Sequence, residues 1–350
     1  MTGVILMKLE ILNPVEFPHW DDLVLATNEY SFFHSSHWAN VLCKSYQYSP
    51  AYFTLTENGE LLALMPLVEI RSVLTGKRGV SIAFADHCEP IAKDRGTFQV
   101  LLDNIIDYGR KSGWKHIEFR GGQKFLSGVP FSARYFGHSL VLTGNEQQLL
   151  SSFRSNTRWS IRKATQEGVE VRFDNTVQSV KDFYRLHCMT RERHSVPPQP
   201  FHFFRNIHKC ILAENHGHVV LASYEGKIIS GALFFHFGDK ALYKYSASDV
   251  KYRGLCANNL VLWEAIKKYA LNGFNEFCFG RTDTDNEGLR KFKTGWGATE
   301  NTIHYYRYDI EGERFADSAA SKMAKRTKYL EKLPGAMLRV LGQMFYRHMG

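Results

Sequence analysis

Between Ala257 and Leu271 apolar residues return every three or four positions: Leu262, Ala265, Ile266, Tyr269 and Ala270, with Lys267 and Lys268 turned outward. That period predicts an amphipathic helix. Asn258 or Asn259 is placed to cap its start, and Gly273 to end it in the left-handed conformation that a residue without a Cβ adopts easily. Phe277 and Phe279 then alternate as in a half-buried strand, and a polar run, TDTDNEG, follows. Residues 101–121 repeat the phrase 160 positions earlier, pairing Leu102 with Leu262, Ile106 with Ile266, Gly113 with Gly273, Trp114 with Phe274, Ile117 with Phe277 and Phe119 with Phe279.

Upstream of each copy lies a second matched pair. AYFTLTENGELLALMPLVEI and HVVLASYEGKIISGALFFHF both read as strand, tight turn, strand, with turn glycines at Gly59 and Gly226. Turn glycine and helix-ending glycine are 54 residues apart in one copy and 47 in the other, so loops differ while element order holds. The pattern predicts a duplicated mixed α/β domain, with chance likeness of two amphipathic helices as the alternative. The expected division is 1–145 for the first domain, 146–168 for a linking helix, 169–310 for the second domain and 311–350 for a basic helical tail.

With 350 residues, 44% of them hydrophobic, two separate cores are affordable within one chain. No apolar run approaches ~18 residues, and MTGVILMKLEIL reads as a first strand rather than a signal peptide. Six scattered cysteines with no C-x-x-C pair fit reduced thiols in a cytoplasm. A formal charge of +9 favours phosphate-bearing or acidic partners. Metal is not expected: His187, His194, His202, His208, His216 and His218 show no H-E-x-x-H spacing, and a calcium loop opening at Asp283 would need a glutamate where Thr294 stands.

Charge then sharpens two segments. In the linking helix Arg154, Arg158 and Arg162 fall four apart with Lys163 beside them, forming either a solvated basic face or a ladder for phosphate or carboxylate. In the tail, Lys322, Lys325, Arg326, Lys328, Lys332, Arg339 and Arg347 face a lone Glu331, and Met337, Leu338, Leu341, Met344 and Phe345 form an apolar stripe. Segment 322–348 therefore suits an anionic membrane surface, or packing against the body or a second subunit. Asp283 and Asp285 follow the strand ending FCFGR, where ligand sites of α/β folds gather, so either is a candidate to take or orient an amine proton; capping the next helix is the other role. Cys278, on the opposite strand face and without a nearby base, is not expected to act as a nucleophile.

The duplication, the helix SNTRWSIRKATQEGVEV, the strand end FGRTD and the run EGLRKFKTGWGATE resemble the FemAB-like branch of the GNAT acyltransferase superfamily, in which two GNAT-type domains share one chain. The likeness spans about residues 30–310. It implies a fold of two tandem GNAT-like domains with a cleft between them, and acyl transfer to an amine of a cell-envelope glycan or peptide precursor. Fem enzymes take an amino acid from aminoacyl-tRNA to a peptidoglycan precursor; other members resemble acetyltransferases of exopolysaccharide or envelope pathways. The donor implied is thus aminoacyl-tRNA or acetyl- or acyl-coenzyme A, with no tightly bound cofactor, and tRNA among the partners. By the same resemblance Lys293, in the Phe-Lys pair, is the oxyanion donor, with Asp283 as catalytic partner. Asp86, in FADHCEP, falls where Fem enzymes carry an acid near the acceptor, and His187, Arg191, Tyr245, Arg281 and Asp285 are grouped with the substrate. Arg253, Gly254, Ala257 and Asn258 occupy the place where GNAT enzymes hold pyrophosphate, with Arg154, Arg158 and Arg162 as further donor contacts. The usual glycine pattern is only partly kept there, since Lys251, Gly254 and Cys256 stand at its fixed positions. The acceptor-phosphate lysine of Fem enzymes falls at Leu42, with Lys44 nearby. Two rivals remain: an acetyl-coenzyme A N-acetyltransferase acting on a sugar nucleotide, and a non-catalytic module holding RNA or another polyanion. Location is expected in the cytoplasm, with association at the inner membrane face.

Overall fold

The structure is a computed structural model describing residues 7–317 and 333–350. Lys322, Lys325, Arg326, Lys328, Glu331 and Lys332, which carry most of the expected tail charge, lie outside the described residues. The chain forms two compact units.

The first unit holds residues 7–135, 302–317 and 346–350 among those described. Its elements are β1 (Met7–Leu12), α1 (Trp20–Leu25), α2 (Ser36–Tyr46), β2 (Ser49–Glu57), β3 (Glu60–Ser72), β4 (Gly76–Val80), β5 (Ile91–Ala92), α3 (Arg95–Lys111) and β6 (His116–Arg120). Antiparallel strands run in the order β1-β2-β3-β4, and α3 then carries the chain over to β6, which pairs with β4 in parallel. Asn58 and Gly59, both at positive φ, make the β2–β3 turn, as the Asn-Gly pair predicts. Helix α3 begins where the Asp94 carboxylate accepts the Thr97 N–H at 2.7 Å, and it buries Phe98, Leu101, Leu102 and Ile105 against Ile117 and Phe119. Each such side chain contributes roughly 1.5–3 kcal/mol on burial. Leu42 is wholly buried in this unit, a core residue where the resemblance sought a phosphate ligand, and Lys44 is exposed.

The second unit holds residues 136–301 and, of those described, 333–345. Its elements are β7 (Ala133–Val141), α4 (Glu146–Ser152), α5 (Ser155–Gln166), β8 (Glu170–Phe173), α6 (Val177–Arg193), α7 (Phe201–Ile207), β9 (Gly217–Tyr224), β10 (Lys227–Phe237), β11 (Lys240–Ser248), α8 (Ala257–Leu271), β12 (Glu276–Asp283) and α9 (Glu287–Thr294). Strand β13 (Thr299–Asp309) carries the chain back to the first unit, where β14 (Arg314–Phe315) pairs with it; α10 (Gly335–Met349) closes the described chain. The sheet order is β7-β12-β11-β10-β9-β8, and α8 links the parallel pair β11 and β12 as α3 links β4 and β6. The duplication is thus real at the level of hairpin, crossover helix and parallel strand.

Two local readings change and one open alternative is decided. Helix α8 is capped by neither Asn258 nor Asn259; its cap is Cys256 at φ 55°, with no side-chain cap bond. The stretch 146–168 is two helices rather than one, because Phe153 and Arg154 are extended. That break buries Phe153 between the Trp263 and Trp296 rings, at 5.7 and 5.0 Å. Of the alternatives open for the tail, α10 packs against the body along one side: Leu338 is buried, and Gly342 lies so near the Pro198 carbonyl that a Cβ would sit 2.1 Å from its oxygen. Met337, Val340 and Met344 nevertheless face water, 51–58% exposed.

Candidate active site

Strands β11 and β12 pair only from Lys240–Glu276 to Leu242–Cys278; among the described residues the ladder stops there although both strands continue. Their unpaired edges leave backbone donors and acceptors for a ligand or a neighbouring side chain. Lys293 is that side chain. It stands in the last turn of α9, is 3% exposed, and its ammonium donates to the carbonyls of Gly280 (2.9 Å) and Arg281 (2.8 Å). Gly280 takes φ 68°, bending the strand at this point. A lysine that far from water persists only where hydrogen bonds hold its charge.

Helix α9 is fixed from both sides. The Asn286 side chain caps it by accepting the Leu289 N–H at 3.0 Å, so capping falls to Asn286 and leaves the exposed Asp283 and Asp285 carboxylates at the mouth of the strand. At mid-helix Arg290 grips Glu300 through two bonds of 2.6 and 2.7 Å, and Glu300 also meets His138 Nε2 at 3.1 Å. Burial first, and the Lys293 charge next, hold the His138 pKa below its ordinary value, so the ring is neutral beside the ammonium. Its Nδ1, the Thr282 hydroxyl and the Trp296 indole N–H are buried without a hydrogen-bond partner. The three groups stand on β7, on β12 and just beyond α9. His138 and Glu300 lie in unremarkable strand positions along the chain and become partners only through sheet order.

The remaining sequence candidates separate. Arg281 is half-buried next to Thr282. At the start of α8, Arg253 and Gly254 are exposed and Ala257 is buried, while the Asn258 side chain is taken up by the Ser230 hydroxyl and, at 3.4 Å, by that of Ser248. A polar cleft of about 380 Å³ adjoins this turn, lined by Asp182, Arg185, Lys227, Asp249, Lys251 and Tyr252. His187 is buried against Phe204 and bound to Gln199 at 3.1 Å; burial pushes its pKa down to about 3, so it is a neutral packing residue. Tyr245 packs edge-on to Phe204, and Arg191 donates to the Pro197 carbonyl. The three arginines do not act as one ladder. Arg158 donates to the carbonyls of Leu150, Ser151 and Phe153, closing α4, while Arg154 and Arg162 are exposed.

Asp86 belongs to the first unit, in a loop that stores strain. Ile82 (φ 55°) and Phe84 (φ 58°) both adopt left-handed backbone, costly for a β-branched residue above all. Arg120 holds the loop through the Ile82 and Ala85 carbonyls, Trp38 through that of Ala83, and Tyr305 through that of Asp86 at 2.6 Å. These four bonds hold the loop around Asp86 in its strained shape. Cys88 beside it is buried within 3.6 Å of His34, and burial drives its thiol pKa upward, away from nucleophilic chemistry. Among the described residues no three His, Cys, Asp or Glu side chains gather to hold a metal ion, and no helix is long and apolar enough to cross a membrane.

Residues 151–294 match the family described as Acetyltransferase (GNAT) domain. The chain is 21% identical to the lipid II:glycine glycyltransferase of Staphylococcus epidermidis, over 61% of this chain and 69% of that one. It is 26% identical to the UDP-N-acetylmuramoylpentapeptide-lysine N(6)-alanyltransferase of Weissella viridescens, but over only 28% of this chain and 29% of that relative's length. Its fold is similar to the crystal structure of FemX, with a TM-score of 0.69 and 16% identity, covering 85% of this chain and 96% of that one. The chain is thus similar to acyltransferases of the GNAT and FemAB type. The stretch that matches the acetyltransferase domain contains Lys293 and the parted strands.

Proposed function

We propose that this protein transfers an aminoacyl group from aminoacyl-tRNA to an amine of a peptidoglycan precursor. The observation that carries the reading is the buried Lys293 ammonium at the parted end of β12. When the neutral amine attacks the ester carbonyl, the N–C bond forms and the carbonyl oxygen becomes an oxyanion. A fixed ammonium stabilises that charge without reorganising. Collapse then breaks the C–O bond to the ribose, and the exposed Asp283 carboxylate is positioned at the strand mouth to take the amine proton. Arg281 and Asp285 are assigned to the acceptor, and Arg253 with the backbone at Gly254, Ala257 and Asn258 to the donor phosphates.

The relatives' names supply the acceptor class, one of them lipid-linked. The exposed Met337, Val340 and Met344, flanked by the exposed Arg339 and Arg347, support contact with an anionic membrane face. The test is transfer of labelled amino acids from a mixed pool of aminoacyl-tRNAs to UDP-linked and lipid-linked muramyl pentapeptide. Labelled peptide that vanishes in Lys293→Met supports the reading, and no transfer from any aminoacyl-tRNA sinks it. The acetyltransferase match and the uncapped start of α8 favour a second reading, acetyl transfer from coenzyme A to a sugar nucleotide. Coenzyme A at ~100 times its dissociation constant would then stabilise the fold by ~2.7 kcal/mol, and no shift disfavours it.

A further inference from the structure

Helix α5 carries the one tryptophan that water reaches. Trp159 is 55% exposed, whereas Trp20, Trp38, Trp114, Trp263 and Trp296 are at most 4% exposed. Lys163, one turn on, lies 5.2 Å from the centre of its ring. No acidic residue occurs between Arg154 and Gln166, so Arg154, Arg158, Arg162 and Lys163 leave the helix wholly cationic. Arg158 is spent on α4, but Arg154 and Arg162 stand in water. The other exposed positions, Ser155, Asn156, Thr165 and Gln166, are polar.

One ring among cations is too little apolar surface to enter a bilayer, which takes a stripe such as that on α10. It does suit a nucleic acid, whose bases stack on an aromatic face while phosphates meet the cations. The start of α5 is also tied to the candidate active site: the Arg154 N–H and the Thr157 hydroxyl both donate to the Gly295 carbonyl, at 2.9 and 3.0 Å, two residues beyond Lys293. We infer that α5 is a docking surface for single-stranded RNA, with a base stacked on Trp159 and adjoining phosphates on Arg154, Arg162 and Lys163. The inference extends the aminoacyl-tRNA reading, since it supplies a place for the unpaired end of that donor.

Because the other five indoles are buried, iodide quenching of the full-length protein reports Trp159. Oligoadenylate and deacylated tRNA should protect it, while heparin, a polyanion without bases, should not. Trp159→Ala should weaken oligoadenylate binding about tenfold and Trp159→Phe much less. Arg162→Gln should make the slope of log affinity against log salt shallower by ~0.7. Wild-type affinity in Trp159→Ala, equal protection by heparin, or protection by phosphatidylglycerol vesicles alone would overturn the inference. Trp159-dependent RNA binding without any aminoacyl transfer leaves the docking surface standing and removes the donor assignment. Transfer by Trp159→Ala with an unchanged KM for aminoacyl-tRNA does the reverse.

Discussion

At the scale of single residues, the decisive question is what a buried ammonium is for. Lys293 satisfies the Gly280 and Arg281 carbonyls, so its removal has two costs that separate experimentally. Losing the bonds leaves buried acceptors unpaired, about 1–3 kcal/mol of stability. Losing an oxyanion donor lowers kcat by ~100- to 1,000-fold. Lys293→Met should show both, the first by urea denaturation and the second in the aminoacyl-transfer assay. A variant that unfolds more easily yet turns over at the wild-type rate would confine the lysine to architecture. Glu300→Gln provides a finer probe, because it breaks the paired grip of Arg290 and the hold on His138 while leaving Lys293 in place. It should lower kcat more than it raises KM, as expected of a group that acts through the position of α9.

Among elements, the matched helix ends carry the clearest link from sequence to structure. Gly113 (φ 70°) and Gly273 (φ 80°) each end a crossover helix, and in each the next residue, Trp114 or Phe274, returns its N–H to Gly109 or Tyr269. A Cβ at either glycine would meet nothing within 4 Å, so alanine there tests backbone strain alone. Gly113→Ala and Gly273→Ala should each cost about 1–2 kcal/mol in urea midpoint analysis, and a neutral result would mean the backbone relaxes. Such features were legible because glycine spacing and apolar period are local. The broken α4–α5 segment was not: its apolar positions continue the helical period, and only Phe153 seated between two distant tryptophans interrupts it. Nor did the arginine spacing reveal that Arg158 would turn back to close α4. Helix α10 was legible as an amphipathic stripe, yet the side it seats is set by Gly342 against Pro198. Met344→Glu, on the opposite face, should abolish sedimentation with phosphatidylglycerol vesicles and leave thermal stability within about 0.5 kcal/mol.

For the whole molecule, the response to acid follows from where the histidines lie. Burial holds His187 near a pKa of about 3 and His218 and His116 near about 4, and the last is in the first unit while the others are in the second. Each is depressed relative to its unfolded value of about 6.5. The unfolded chain therefore takes up these protons first, so the stabilisation is complete above about pH 6.5 and is lost as pH falls toward the folded values. Glu69 and Glu118, also depressed but against a carboxylate reference, add a second loss at lower pH. For His187, the most deeply buried of the three, the loss between pH 7 and 5 is about 2 kcal/mol. None of this was readable from the crowding of histidines along the sequence, which invites a metal; the controlling variable is burial, which only the packed core defines. Urea titrations at pH 7.0, 6.0 and 5.0 should show stability falling with acid, and His187→Gln should flatten that slope by up to one proton's share. A slope unchanged in the variant would mean that the imidazole keeps its ordinary affinity for protons and is not sealed by Phe204 and Gln199.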